Sequence, residues 1–288
     1  MTRCVLVVLM LLTLSGCESL FFFPSRTIAH TPAELDLRYE DVRFQSDDGV
    51  WLSGWFLPAI GGKARATVVH VHGNAANIGE HVWAARWLPA AGYNVLTFDY
   101  RGYGTSAGTP GIAGAQRDIS AALAYVRSRP DVPPGRLVVF AQSLGGALAI
   151  HNIAHSPYRN EIRALIVDSA FSSYQQIAAE KLAGHWLTWS LQWLPRLLIS
   201  DRFAPDAAVA AVTPIPLLLI HGTGDQVVPH HHSEQLYERA ASPKQLWLLP
   251  NVPHTAGLEF PVNRSRLLAL LDSLLADRTA DAALRVEP

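Results

Sequence analysis

The sequence predicts an α/β domain: a mostly parallel sheet of about eight strands, helices on both faces and a short helical lid. Apolar runs of strand length recur at residues 67–71, 95–98, 137–140, 164–167, 217–220 and 245–249, each bounded by turn residues. Apolar on both faces, they suit buried parallel strands. Between them, residues 78–91, 112–128, 144–155 and 262–276 repeat apolar positions at i, i+3 and i+4, the spacing of a helix with one buried face. The composition agrees, because 288 residues that are 49 % apolar and 16 % charged can bury one large core. A net charge of −1 gives no basic face for nucleic acid.

The first residues read as an export signal. Arg3 precedes an apolar run from Cys4 to Leu14, and small residues follow. That run is shorter than the roughly 20 residues needed to span a bilayer. Leu14-Ser15-Gly16-Cys17 resembles the lipobox of bacterial lipoproteins. The resemblance implies a signal peptide at 1–16, removed with Cys4, and acylation of Cys17. It also implies a lipid anchor in the bacterial cell envelope. Glu18, where Asp would favour inner-membrane retention, points to the outer membrane facing the periplasm. Two or more acyl chains would hold the protein stably on a membrane. An ordinary signal peptide or an uncleaved anchor is the alternative.

Residues 17–35 then form the lipidated cysteine and a tether, in which Leu20-Phe21-Phe22-Phe23 rests either at the bilayer interface or on the domain. The domain proper covers 36–277, with a polar tail at 278–288. It opens with two strands, 37–44 and 50–57, around Asp47-Asp48-Gly49, since Asp-Gly between β-rich runs is a hairpin signal. The strand–helix alternation breaks once, at about 172–212. There Leu182, Trp186, Trp189 and Trp193 fall at helical spacing, and the segment reads as the lid.

Candidate chemistry gathers where strands end. The run 137–140 leads through Ala141-Gln142 to Ser143 and then to Leu144-Gly145-Gly146-Ala147. A strand, a serine and a small-residue helix make a nucleophile elbow, with Ala141 where the pattern Gly-x-Ser-x-Gly has its first Gly. Small residues are needed because the turn is sharp. A serine hydroxyl needs a base, and the base needs an orienting acid. Asp225 follows the strand at 217–220, and His254 follows the last strand, which gives the chain order serine, acid, histidine. The strand at 67–71 ends in His72-Gly73-Asn74-Ala75, a loop suited to supply one oxyanion N–H from Asn74 or Ala75. Leu144 would supply the other.

Phe98-Asp99-Tyr100-Arg101-Gly102-Tyr103-Gly104 adds a fourth motif. With His72-Gly73-Asn74, Gln142-Ser143-Leu144-Gly145-Gly146 and Gly222-x-x-Asp225, it resembles the α/β-hydrolase superfamily. The similarity is to the subgroup of monoacylglycerol lipases, lysophospholipid lipases and acyl-protein thioesterases, and it runs from Val50 to His254. It implies a serine hydrolase cleaving an ester or thioester of a small lipophilic acyl substrate, with Ser143, Asp225 and His254 as triad and no cofactor. A fold shared by many hydrolases leaves two rivals open. They are a serine peptidase of the prolyl-oligopeptidase kind and a non-catalytic binding lipoprotein.

Other residues have plainer readings. Asp168 also ends a strand and is the alternative acid. Asp99 reads as structural, pairing with Arg101 or a backbone amide. His72 and His221 precede glycines at strand ends and read as structural too. His230-His231-His232 reads as a solvated helix start with no metal site, because adjacent histidines cannot all face one ion and no carboxylate or Cys cluster accompanies them. Trp186, Trp189 and Trp193 are expected either in the lid core or against an acyl chain.

Overall fold

The computed structural model describes residues 17–283. Residues 1–16, where a signal peptide is expected, and the last residues of the tail, 284–288, lie outside the described residues.

One eight-stranded sheet organises the domain. Its strands are β1 (Glu40–Gln45), β2 (Trp51–Leu57), β3 (Thr67–Val71), β4 (Asn94–Phe98), β5 (Leu137–Gln142), β6 (Ile162–Asp168), β7 (Leu217–Gly222) and β8 (Lys244–Leu249). Across the sheet they run β8-β7-β6-β5-β3-β4-β2-β1. The two pairings of β2 are antiparallel, with β1 and with β4. The others are parallel. The Asp-Gly turn closes the β1–β2 hairpin as expected, with the Gly49 N–H donating to the Ser46 carbonyl at 2.9 Å.

Alternate residues of the central strands feed two cores. Val69, Val71, Val139, Leu165 and Leu219 face one side, where α2 (Ile112–Ser128) and α3 (Leu144–His155) cover them. Val68, Val138, Phe140, Ile166 and Leu218 face the other, under α1 (Ile78–Ala85) and α8 (Pro261–Ala283). Burial on both faces is why these strands read as unbroken apolar runs. Helix α2 buries a stripe of Ile112, Ala115, Ile119, Ala122 and Val126. Helix α3 is buried nearly all round, so its small residues are packing requirements.

Several boundaries differ from the sequence expectation, the first strand among them, which begins at Glu40 and not at residue 37. Helix α1 ends at Ala85 and gives way to turns before residue 91, because Pro89 lacks an N–H and disfavours helix in the residue before it. The backbone of α8 continues to Ala283, past the expected end at 276, since no Gly or Pro interrupts residues 277–283. The tether, in contrast, is laid down on the domain. Phe23–Pro24 pairs in parallel with Ala75–Ala76, and Arg26 donates to the Gly104 and Ser106 carbonyls. Asn77 Nδ2 donates to the Ser25 and Thr27 carbonyls at 3.2 and 2.6 Å. Phe22 is buried, and Ile28 and Leu35 pack against the second core. Residues 19–35 are a strap across the end of the sheet where the candidate site lies.

The stretch between β6 and β7 holds α4 (Tyr174–Ala183), α5 (Pro195–Leu198) and α6 (Pro205–Ala208), with single 3-10 turns between and after them. Helix α4 stops at Gly184, so Trp186, Trp189 and Trp193 do not share one helical face with Leu182. Helix α7 (His231–Arg239) lies between β7 and β8. Among the described residues, no helix is long and apolar enough to cross a membrane.

Candidate active site

The chain reverses its walk across the sheet between β3 and β5. In open α/β sheets such a switch leaves a crevice beyond the strand C-termini. Ser143 follows β5 there, with φ 53° and ψ −121°, a backbone conformation that L residues avoid. Its N–H donates to the Asp168 carbonyl at the end of β6, 2.9 Å away. The next turn must pass close to β3. A Cβ on Gly145 would strike the Val71 and His72 carbonyl oxygens, and one on Gly146 would come within 2.8 Å of Val167 and Ala170. Ala141, by comparison, sits fully buried inside β5 with its methyl accommodated, so the first small residue of the elbow need not be glycine.

A hydrogen-bonded chain leads away from the serine. His254 Nε2 lies 3.0 Å from Ser143 Oγ, and His254 Nδ1 lies 2.6 Å from Asp225 Oδ2. Asp225 is the better-held carboxylate of the two candidates. Its Oδ1 accepts the Val227 and Val228 N–H groups, each at 2.8 Å. Its Oδ2 also lies 3.2 Å from His221 Nε2. Burial alone would raise its pKa, but the hydrogen bonds from His221 and His254 outweigh it and hold the carboxyl far below the usual range. His221 can donate because its Nε2 also lies 2.8 Å from the Val228 carbonyl, an acceptor only, which fixes the proton on Nε2. The sequence reading of His221 as structural missed this contact with the acid. The loop carrying His254 crosses the end of β7 so closely that a side chain at Gly222 would collide with the Val252 carbonyl.

Asp168 is built differently. It is fully buried, its Oδ1 accepts the Ser169 hydroxyl at 3.0 Å, and burial raises its pKa to about 6. What it offers the site is its main-chain carbonyl, which holds the elbow.

The His72-Gly73-Asn74 loop faces Ser143 from β3. Asn74 and Leu144 line one cavity together with Ser143, whereas Ala75 is turned into the ladder with the strap. The loop's carbonyls are tied back on the far side. Tyr100 Oη donates to the His72 carbonyl at 2.7 Å, Tyr103 Oη to the Asn74 carbonyl at 2.6 Å, and the Phe23 N–H to the same Asn74 oxygen at 2.9 Å. The Asp99-Tyr100-Arg101-Gly102-Tyr103-Gly104 motif therefore buttresses this loop. Asp99 Oδ1 accepts the Ile78 N–H at 2.9 Å, so of its two expected partners the backbone amide is the one found. Arg101 instead pairs with Asp48 and Asp118.

Ser143 opens into a cavity of about 440 Å³. Phe171, Ile177, Leu182, Leu194 and Leu198 form much of its wall, and Phe21 of the strap closes one side, 5.1 Å edge-on to Tyr174. Among the described residues, Lys181 is the single charged residue in that lining. Trp186, Trp189 and Trp193 are absent from it. They are 78 %, 58 % and 54 % exposed, so neither place expected for them holds.

The architecture coincides with a known family. Residues 62–211 match the family model described as serine aminopeptidase, S33 (Hydrolase_4). The chain belongs to the α/β-hydrolase superfamily. This α/β hydrolase is 41 % identical over 246 residues to the uncharacterized protein YfhR of Salmonella typhi, covering 81 % of this chain and 80 % of that one. It is 32 % identical to the α/β hydrolase domain-containing protein WAV2 of Arabidopsis thaliana, covering 85 % and 79 %. Among solved structures it resembles the Pyrococcus furiosus esterase Pf2001, with TM-score 0.71 and 26 % identity over 88 % of this chain and 100 % of that one. It is thus an α/β hydrolase of the esterase-like kind.

The histidine run needs a correction. His232 is fully buried, and Glu180 of α4 reaches across to it, Oε2 to His232 Nε2 at 3.1 Å and Oε1 to His231 Nε2 at 3.1 Å. A carboxylate does accompany the histidines, from 51 positions away in the chain. The potential ligand atoms of the three residues lie within 4.8 Å of one another. Hydrogen bonding accounts for the cluster, however. The Ser172 N–H donates to His232 Nδ1 at 3.2 Å, which leaves the proton on Nε2 to be donated to Glu180. The group fastens α4 to α7.

Proposed function

We propose that the protein is a serine hydrolase acting on an ester or thioester of a lipophilic acyl group. One observation carries the reading: Ser143 Oγ, 3.0 Å from His254 Nε2, stands at the floor of an apolar cavity. His254 takes the hydroxyl proton as Ser143 attacks the carbonyl carbon. Asp225 orients His254 and stabilises its charged form, and the N–H groups of Asn74 and Leu144 hold the oxyanion. His254 then returns the proton to the leaving group. Water, activated by the same histidine, hydrolyses the acyl-enzyme. The acyl chain occupies the cavity under Phe171, Ile177 and Leu182. An amino-terminal peptide substrate fits less well, because an ammonium group finds a lysine and no carboxylate in that lining.

The test is labelling by a fluorophosphonate probe, followed by turnover of p-nitrophenyl esters of increasing chain length. Labelling of the wild type, its loss in Ser143→Ala and a preference for acyl chains longer than acetyl are expected. A folded wild type that does not react with the probe would sink the proposal.

We propose further that Cys17 carries the acyl anchor and that the enzyme resides in the bacterial envelope, on the outer membrane facing the periplasm. The lipobox resemblance supports this. Metabolic incorporation of labelled palmitate that survives in Cys17→Ser would overturn it.

A further inference from the structure

The sixteen residues of the lid from His185 to Ser200 leave an uncommon surface. Trp186, Trp189, Trp193, Leu187, Leu191 and Leu197 are all exposed there, on turns and one short helix. Soluble monomers seldom display so many large apolar groups together, and such patches mark contact sites. Their chemistry is particular. Three of these six are tryptophan, and tryptophan favours the boundary between lipid headgroups and acyl chains. No carboxylate occurs between Glu180 and Asp201, while Lys181 and Arg196 are exposed cations. Two exposed cations and no carboxylate in this stretch, beside tryptophan and leucine, match an anionic bilayer surface.

The course of the chain points the same way. Leu198, at the end of this patch, and Leu20, three residues after Cys17, are wall residues of the same cavity. Both are exposed on their outer sides. The chain that leads to residues 1–16 therefore leaves the domain beside the lid, at the mouth of the cavity that holds Ser143.

We propose that the lid surface bearing Trp186, Trp189 and Trp193 is a bilayer-docking face. It seats the cavity mouth on anionic lipid, independently of any acyl chain on Cys17 and of catalysis. The three indoles enter the interface to the roughly 5–10 Å reached by interfacial apolar faces.

The experiment uses the full chain in a Ser143→Ala background, so that failure of the hydrolase reading cannot affect the readout. The protein is bound to phosphatidylethanolamine/phosphatidylglycerol vesicles in which part of the lipid carries bromine near the headgroup end of its acyl chains. Bromine quenches tryptophan emission at contact range. Expected is a loss of emission in the parent that Trp186→Ser/Trp189→Ser/Trp193→Ser largely abolishes, whichever residue occupies position 17. Trp83→Ser, exposed on α1 under the opposite core, should leave that quenching in place. All four tryptophans are exposed, and circular dichroism verifies that the variants fold. Absence of quenching in vesicle-bound protein overturns the proposal. So does equal loss in Trp83→Ser, or a lid patch shielded from bromine by a second copy of the chain.

Discussion

Asp225 divides its work between two oxygens. Oδ1 is held by two backbone N–H groups, which fix the side chain, and Oδ2 faces the two histidines. Asparagine at this position could keep the first set of bonds. It would present an NH2 group to His254 Nδ1, however, and so favour the wrong tautomer. Asp225→Asn should lower kcat on a p-nitrophenyl ester by about 10⁴-fold with little change in KM. Asp168→Asn removes a charge while keeping an acceptor for the Ser169 hydroxyl, leaves the carbonyl that holds Ser143 in place, and should cost less than about ten-fold. Steady-state kinetics on the two variants separates the two carboxyls. A larger loss in Asp168→Asn would reverse the assignment. The meeting of Ser143, Asp225 and His254 was legible in the sequence because each follows a strand. The ranking of Asp225 over Asp168 was not certain there, since it rests on hydrogen bonds from residues on other loops. His221 and Glu180 went unnoticed as partners because their contacts depend on how the chain folds back, and no spacing rule encodes them.

At the scale of elements, the strap and the lid together make the cavity beside Ser143. Phe21 packs edge-on against Tyr174 and 6.1 Å from Phe171, so the chain before the domain supplies a wall of the site. Phe21→Ala should lengthen the cavity and shift the preferred p-nitrophenyl ester towards longer chains. Because Phe21 is half-buried, the stability loss should be about 1–3 kcal/mol, below the range for a fully buried phenylalanine. Denaturant midpoints and chain-length profiles measured on the same variant test both parts. An unchanged profile would mean that Phe21 only packs. The sequence could mark the lid as a break in the strand–helix alternation, but it placed the tryptophans wrongly. Periodicity assumes one continuous helix, and Gly184 and Pro195 divide this segment into turns and short helices. Strand positions fared better, because burial on both faces writes an unbroken apolar run, whereas helix ends depend on local stops such as Pro89.

Across the whole molecule, buried ionisable groups set how stability should depend on pH. His70 and His232 are buried, and burial is the largest influence lowering their pKa values to about 3 and about 4. The unfolded chain, with histidines near 6.5, binds more protons than the folded one between about pH 4 and 6.5. Stability therefore falls as pH drops through that window. Asp99 and Asp168 act in the opposite sense. Burial raises them to about 7 and about 6, so the folded state holds protons that the unfolded state has released above 3.8. Their contribution is fully present below 3.8 and is lost as pH rises to 7. Above pH 7 both carboxyls are charged and buried, with one oxygen of each lacking a partner among the described residues. Asp99→Asn keeps an acceptor for the Ile78 N–H while removing that charge. It should raise Tm relative to wild type at pH 8 and show a smaller gain, or a loss, at pH 5. Thermal melts of both proteins at the two pH values decide the matter. A Tm difference independent of pH would mean that Asp99 is ionised throughout, with its charge already compensated by the groups around it.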